Sequence, residues 1–279
     1  MSNISIRRMA ADEVSKIMDW ARKEGWNPGV HDAEIFAQTD PSGLFCAEMG
    51  GEMVGGISAV AYDDRYGFVG LFIVRPDLRG HRVGLDLAQR ALDHLGNRII
   101  GIDGVLAKER QYAKFFGFVP EGRNVRYEGR PVGRVTPDLI DARDVPFSDL
   151  SAYDQRHFPA PRDRFLKMWI HQAGGTALAD TRGGTLRGYG VIRPCVVGAK
   201  LGPLFADSPA VAEDLLLALC AEAPTGPVYL DTPGDNPLAV ELALKFGMHE
   251  VFATTRMYRG GTPKFSKEEV FGITTFELG

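Results

Sequence analysis

Between Gly67 and Gly84 the chain reads Gly-Phe-Val-Gly-Leu-Phe-Ile-Val-Arg-Pro-Asp-Leu-Arg-Gly-His-Arg-Val-Gly, and the chemistry open to that order of residues is anion binding. Gly80 and Gly84 let the backbone approach a ligand closely, while Arg79, His81 and Arg82 put positive charge around it. A helix opening at Val83 would aim its first N–H groups, and about half a unit of positive dipole charge, at the same point. That is a cradle for a pyrophosphate. A P-loop needs Lys-Ser/Thr after the glycines, and a dinucleotide site needs Gly-x-Gly-x-x-Gly with a downstream acidic residue; the stretch has neither.

The flanking residues supply the elements that such a cradle requires. The apolar, β-branched run before Arg75 suits a buried strand, Pro76 ends it, and Leu85, Ala88, Leu92 and Leu95 predict one face of a helix. Upstream, Ile4 and Ile6 predict a short strand. Asp12 and Glu13 open a helix carrying Val14, Ile17, Met18 and Ala21, and a short helix about 32–38 follows a Gly-Trp-Asn-Pro-Gly turn at 25–29. Strands are predicted at 44–49 and 53–62, joined at Gly50-Gly51, and at 98–105; a helix at 108–116 and an extended segment at 118–127 complete the first half. The fold class is α/β with a mixed sheet, in the order β-α-α-β-β-β-α-β-α-β.

The second half repeats the first. Lys114-Phe115-Phe116-Gly117-Phe118 followed by Arg126-Tyr127 has a counterpart in Lys245-Phe246-Gly247-Met248 followed by Arg256-Met257-Tyr258, a period of about 130 residues that predicts a tandem pair of domains. The Thr136-Pro137-Asp138 segment divides them, giving domains 1–136 and 137–279. Helices are predicted at 147–158 and 162–172, strands at 176–181, 186–193 and 200–205, and a helix from Ser208 through Glu222. There Ala206-Asp207-Ser208-Pro209 puts a carboxylate where the first half has Arg-Gly. An anion would be repelled, so the first half is the expected binding half.

Composition sets the outer limits. With 279 residues, 44% apolar and 24% charged, the chain can bury a substantial core. A net charge of −4 gives no global field for nucleic acid or an anionic membrane, so neither is an expected partner. Three widely spaced cysteines, Cys46, Cys195 and Cys220, argue against a disulfide framework or structural zinc and for a cytoplasmic setting. His31, His81, His157 and His171 show no metal-ligand spacing, so no metal is expected.

Arg79-Gly80-His81-Arg82-Val83-Gly84 resembles the acyl-CoA pyrophosphate loop of the GNAT N-acyltransferase superfamily, Arg/Gln-x-x-Gly-x-Gly/Ala, with Arg82 in place of the middle glycine. The loop also falls where that family has it, between the fourth strand and the third helix. Gly25-Trp26-Asn27-Pro28-Gly29, the stretch 188–194, Leu201-Gly202-Pro203-Leu204-Phe205, Arg256-Met257-Tyr258 and 274–279 resemble a tandem subgroup with a degenerate C-terminal acetyltransferase-like domain. The resemblance implies acetyl-CoA as donor. It also implies that pantetheine enters between splayed fourth and fifth strands, at Phe72, Ile73 and Val74, where a backbone N–H polarises the thioester. The cofactor-binding set is therefore Phe72, Ile73, Val74, Arg79, Gly80, His81, Arg82, Val83 and Gly84.

The expected acceptor is an amine of a small molecule. An alkylamine of pKa about 10.4 is nucleophilic in roughly one molecule in 2500 at pH 7, a deficit of about 4.6 kcal/mol, so a base or a deprotonating pocket is needed. Family members often carry a Glu on the fourth strand, but 71–74 has none. Asp32, Asp63 and Asp103 are the candidate bases; each also has a structural reading, as helix cap, turn residue and strand-end residue respectively. Tyr112, on the helix after the fifth strand, is the candidate acid for the leaving thiolate, with packing as its other reading. Trp26, Tyr62, Arg193, Asp231 and Arg256 are candidate acceptor contacts, and Glu277 is further polar lining if the second half walls the pocket. The chain would act as a monomer or homodimer. Rival readings are a non-catalytic acyl-CoA sensor and an aminoacyl-tRNA-dependent transferase, the latter disfavoured by the basic loop and the low pI.

Overall fold

A computed structural model describes residues 4–223 and 225–279. In the first half, β1 (Ile4–Arg8), β2 (Leu44–Met49), β3 (Glu52–Ala61) and β4 (Tyr66–Val74) pair antiparallel in sequence order. Gly50 and Gly51, both at positive φ, make the tight β2–β3 turn. Helix α3 (Val83–Leu95) then crosses the sheet and returns the chain as β5 (Ile99–Val105), parallel to β4. Helices α1 (Ala11–Lys23), α2 (Asp32–Thr39) and α4 (Glu109–Phe116) complete this half, which ends in β6 (Val119–Gly129).

The second half runs β7 (Leu139–Asp141), α5 (Phe147–His157), α6 (Asp163–Ile170), β8 (Thr176–Asp180), β9 (Gly188–Pro194), β10 (Ala199–Ala206), α7 (Pro209–Ala221), β11 (Val228–Pro233), α8 (Pro237–Lys245), β12 (His249–Arg259) and β13 (Val270–Gly272). The predicted elements lie within a few residues of these. No spans are predicted from the sequence for β11, α8 or β12, nor for the short strands β7 and β13, which carry too few residues to show a period. In α3 the buried face is Val83, Leu87, Ala88, Ala91, Leu92 and Leu95, whereas Leu85, expected on that face, is 42% exposed at the rim of the groove described below.

Both halves share one sheet, ordered β1-β2-β3-β4-β5-β12-β6-β11-β10-β9-β8-β7, with β13 on β10. The last long strand of each half is exchanged: β12 lies against β5, and β6 lies against β11. Between them, β6 and β12 pair antiparallel, with Val119 opposite Tyr258 and Glu128 opposite His249. Positions 249 and 258 are the 130-residue repeats of 119 and 128, so the register maps onto itself and a pseudo-twofold axis passes between these strands. Each exchanged strand is pinned by a buried ion pair to the residue opposite it. Arg126 on β6 donates to Asp231 on β11 at 2.6 and 2.7 Å, and Arg256 on β12 donates to Asp103 on β5 at 2.9 and 2.7 Å. Arg126 and Arg256, 130 residues apart, do the same work in the two repeats. A one-residue slip would leave each charge buried and unpaired, so the pairs help fix the register.

Candidate active site

The site begins where two parallel strands part. β4 and β5 pair from Tyr66/Ile99 to Val69/Ile102 and no further, so 70–74 and 103–105 face each other across a gap. At that point Leu71 adopts φ +46°, in the left-handed region, and the β3–β4 register shifts between Gly56 and Ser58. A leucine held there is strained by about 1–3 kcal/mol, a kind of strain that clusters at functional sites. The gap opens into a groove of about 490 Å³.

One end of the groove is the loop before α3. Arg79, Gly80, His81 and Gly84 line it, Gly80 at φ +85° turns the chain, and the first backbone bond within α3 is Asp86 N–H to Arg82 C=O. Among the described residues the amides of Gly80 and of 82–85 have no backbone acceptor, and they lie where the positive end of the helix dipole lies. A Cβ on Gly84 would sit 3.5 Å from Phe72, so the glycine leaves the floor open without being needed to avoid a clash.

Phe72, Ile73 and Val74 line the middle of the groove. Of the basic residues, His81 faces it, but Arg79 is held by Glu24 and the Val74 carbonyl, and Arg82 pairs with Asp86 at 3.0 Å out in solvent. The Val83 side chain is in the core. Main-chain N–H groups put positive partial charge at this end, and neither Arg82 nor Val83 is among the residues that line the groove. Tyr112 lies flat on Gly104 of β5, its ring 2.7 Å from where a Cβ would be. Burial pushes its hydroxyl up to about 12, so it carries its proton at any working pH.

The other end is built by the second half. Phe252 and Thr254 of β12 and Phe276 and Glu277 of the segment after β13 line the groove beside Trp26. The Trp26 turn is itself fastened to the second half. Arg126 and Lys200 donate to the Trp26 carbonyl at 2.7 and 3.1 Å, and Asn27 exchanges hydrogen bonds with Val197 at 3.0 and 2.9 Å.

Several expected site residues have other duties. Asp32 is buried away from the groove, accepts the Gly29 N–H at 2.8 Å and pairs with Arg193 at 3.0 Å; neither is a base or an acceptor contact. Arg193 lies over the Trp169 ring instead. Asp63 caps its turn through the N–H groups of Arg65 and Tyr66. Asp103 borders the groove, but Arg256 and Asn124 occupy its oxygens, with Asn124 at 2.7 Å. Asp231 is consumed by Arg126, and burial, which raises its pKa, is outweighed by the guanidinium, which holds it below the usual carboxylate range. Tyr62 donates to the Leu278 carbonyl at 2.8 Å and so anchors the final segment. Arg256 borders a separate cavity of about 50 Å³. Ion pairs between strands distant in sequence left no local signal, and nothing in the spacing of Phe252, Thr254 or Phe276 could have placed them.

The second half has the same opening, and it is filled. β10 and β11 pair parallel over only Ala199–Leu201 with Val228–Leu230, then β13 enters beside β10, with Leu204 opposite Gly272, and Ile273 N–H donates to the Asp231 carbonyl at 2.8 Å. At the start of α7, the Ser208 hydroxyl accepts the Val211 N–H, and Asp207 accepts the Tyr153 hydroxyl at 2.8 Å. Strand positions and helix terminus that stay open in the first half are satisfied here by the chain itself.

An open parallel strand pair leading to a bare helix N-terminus, duplicated and plugged in its second copy, defines an acyl-transfer enzyme of tandem build. Residues 11–118 match the model of the acetyltransferase (GNAT) family, and residues 150–272 match that of an acetyltransferase (GNAT) domain. A holothin acyltransferase of Pseudoalteromonas sp. (strain SANK 73390) is 31% identical over 96% of this chain and 92% of its own. A Pyrococcus horikoshii structure described as a candidate acetyltransferase superposes with a TM-score of 0.85 at 25% identity, covering 100% of this chain and 97% of that one. A tandem GNAT protein from the clavulanic acid biosynthesis pathway shares the fold, with a TM-score of 0.63 at 13% identity over 94% of this chain and 100% of its own. The chain belongs to the GNAT acyltransferase family, a fold that uses acyl-CoA. Among the described residues no cluster could hold a metal ion, and no helix is long and apolar enough to cross a membrane.

Proposed function

We propose that the protein transfers an acetyl group from acetyl-CoA to an amine of a small molecule, by direct attack of the amine on the thioester. The observation that carries this reading is the stretch of β4 beyond Val69, open on its β5 side, which leads through the 75–82 loop to amides at the start of α3 that have no backbone acceptor among the described residues. The residues fit the donor. The N–H groups at Gly80 and 82–85 match a pyrophosphate, and the free edge of β4 at Phe72–Val74 matches the amides of a pantetheine arm. The donor supplies an activated acyl carbon and a thiol leaving group. The protein supplies main-chain donors for the developing oxyanion, a protonated Tyr112 for the departing sulfur, and walls from both halves that keep water off the acyl group. The relative named for holothin makes that compound a first choice in an acceptor panel. Neither nucleic acid nor a membrane is required, and a monomer or homodimer suffices.

Calorimetry with acetyl-CoA tests the donor. One site per chain is expected, and Gly84→Glu should lose it. The Cβ has room and a first-turn glutamate suits the helix dipole, so the fold is retained. A carboxylate about 5 Å from a phosphate in a medium of effective dielectric about 20 costs about 3 kcal/mol, or more than a hundredfold in affinity. Failure of the wild-type protein to bind acetyl-CoA would end this reading.

A further inference from the structure

One group in the groove has no duty in the fold. Glu277 is 2% exposed, lines the groove beside Trp26 and Phe276, and among the described residues neither carboxylate oxygen has a hydrogen-bond partner. Its backbone is well held: the amides of Glu277 and Leu278 donate to the Thr275 hydroxyl at 3.1 and 2.8 Å, and its carbonyl presses on Gly70 of β4. A buried carboxylate without a donor is costly to keep, and such groups persist where a ligand completes them.

The surrounding charges show what is missing. The groups that act on Glu277 are Arg126 on β6, Arg193 on β9 and Lys200 on β10, with Asp32 and Asp231 beside them and Asp103 and Tyr112 elsewhere along the groove. Asp231 takes up Arg126, and Asp32 holds Nε and Nη2 of Arg193, whose Nη1 has no partner among the described residues. Lys200 spends its ammonium on the Trp26 carbonyl, and burial followed by the charge of Arg126 lowers its pKa. Every other carboxylate of this cluster has its cation in contact; among the described residues Glu277, at the wall of the groove, has two buried oxygens that no partner takes up.

Resting on the acetyl-transfer reading above, we infer that Glu277 receives the acceptor as its ammonium ion and takes its proton, so that the base of the first-half site is delivered by the second half. The step balances. Of the three N–H protons of the acceptor, one passes to Glu277, one ends on the CoA sulfur by way of the Tyr112 hydroxyl, and one stays on the amide nitrogen. The C–N bond forms as the C–S bond breaks. An alkylamine is nearly all protonated at pH 7, and an arylamine of pKa near 4 is not, so the two should depend on Glu277 to different extents.

The test compares the full-length protein with its Glu277→Gln variant, an isostere that keeps the backbone bonds of the segment. Acetyl-CoA affinity by calorimetry should stay within about twofold. With an alkylamine at pH 7, kcat/KM should fall by about 10²–10³, and the deficit should shrink about tenfold for each pH unit as solvent deprotonates the amine. An arylamine should lose far less. An equal loss for both amines, a deficit independent of pH, no loss with the alkylamine, or a collapse of acetyl-CoA affinity would each overturn the role of Glu277 while leaving the acetyl-transfer reading intact. A wild-type protein that binds acetyl-CoA but acetylates no amine would overturn both.

Discussion

Gly70→Ala tests how the segment carrying Glu277 is positioned. An added Cβ would lie 1.9 Å from the Glu277 carbonyl oxygen, 2.7 Å from its carbon and 2.9 Å from its Cα, all backbone atoms that no rotamer change can relieve. Restoring a carbon-to-oxygen approach of about 3.3 Å requires β4 and the segment to move apart by about 1.4 Å. The segment is tied by Tyr62 to Leu278 and by Gly279 N–H to Thr275, so movement there carries the Glu277 side chain with it. Overpacking of this kind costs about 1–3 kcal/mol of stability, a Tm loss of roughly 2–8 °C for a chain of this size. A displacement of about 1 Å at a reacting group costs on the order of a hundredfold in rate. Thiol release with saturating acetyl-CoA and an alkylamine should therefore show kcat down about a hundredfold, while calorimetry shows acetyl-CoA affinity within a few-fold. Unchanged kcat together with unchanged Tm in Gly70→Ala would refute the reasoning.

Tyr112→Phe should lower kcat by about 10²–10⁴ and leave acetyl-CoA affinity alone; equal turnover would return Tyr112 to a packing role. Because burial pushes that hydroxyl up to about 12, the pH profile of kcat should show no alkaline fall from Tyr112 below about pH 11, and a fall near pH 9 would contradict it. Asp231→Asn leaves Arg126 buried without its carboxylate and should cost about 3–5 kcal/mol by denaturant unfolding. Since the folded pKa of Asp231 is depressed, its stabilisation is present above the unfolded value of about 3.9 and lost as pH falls through the folded one, so the variant should lose less stability than the wild type below pH 4. Residues 1–136 expressed alone lack β12 beside β5 and β11 beside β6 and should aggregate, with acetyl-CoA binding regained on coexpression with 137–279, as size exclusion and calorimetry would show.

The elements were legible because their signals are local. The helix from Val83 and the turn at Gly50-Gly51 follow from spacing and glycine chemistry over a few residues, and the repeat from Gly117 to Gly247 shows in the sequence because both glycines cap helices at positive φ. The exchange of β6 and β12 was not legible, because a repeat fixes which strands are equivalent but not which copy each one pairs with. The end of the groove at the 79–84 loop was readable because it is made by one continuous stretch. The other end is assembled from Trp26, Thr254, Phe276 and Glu277, and only the sheet register brings these together. Asp32, Asp103, Asp231, Arg193 and Arg256 have the right chemical types for a site, but partners on other helices and strands had already claimed their charges.

The plug that β13 makes in the second half has a meaning for how this kind of protein can change. Two identical chains related by a twofold axis must accept every substitution twice, so a segment that seals one opening seals both, and activity is lost. Joined in one chain, the copies are free to differ. One opening was given up to a strand of the protein's own, and the chain that leaves that strand passes on to Gly70, where it closes the remaining site. One continuous segment thus fills the second-half opening and walls the first-half groove.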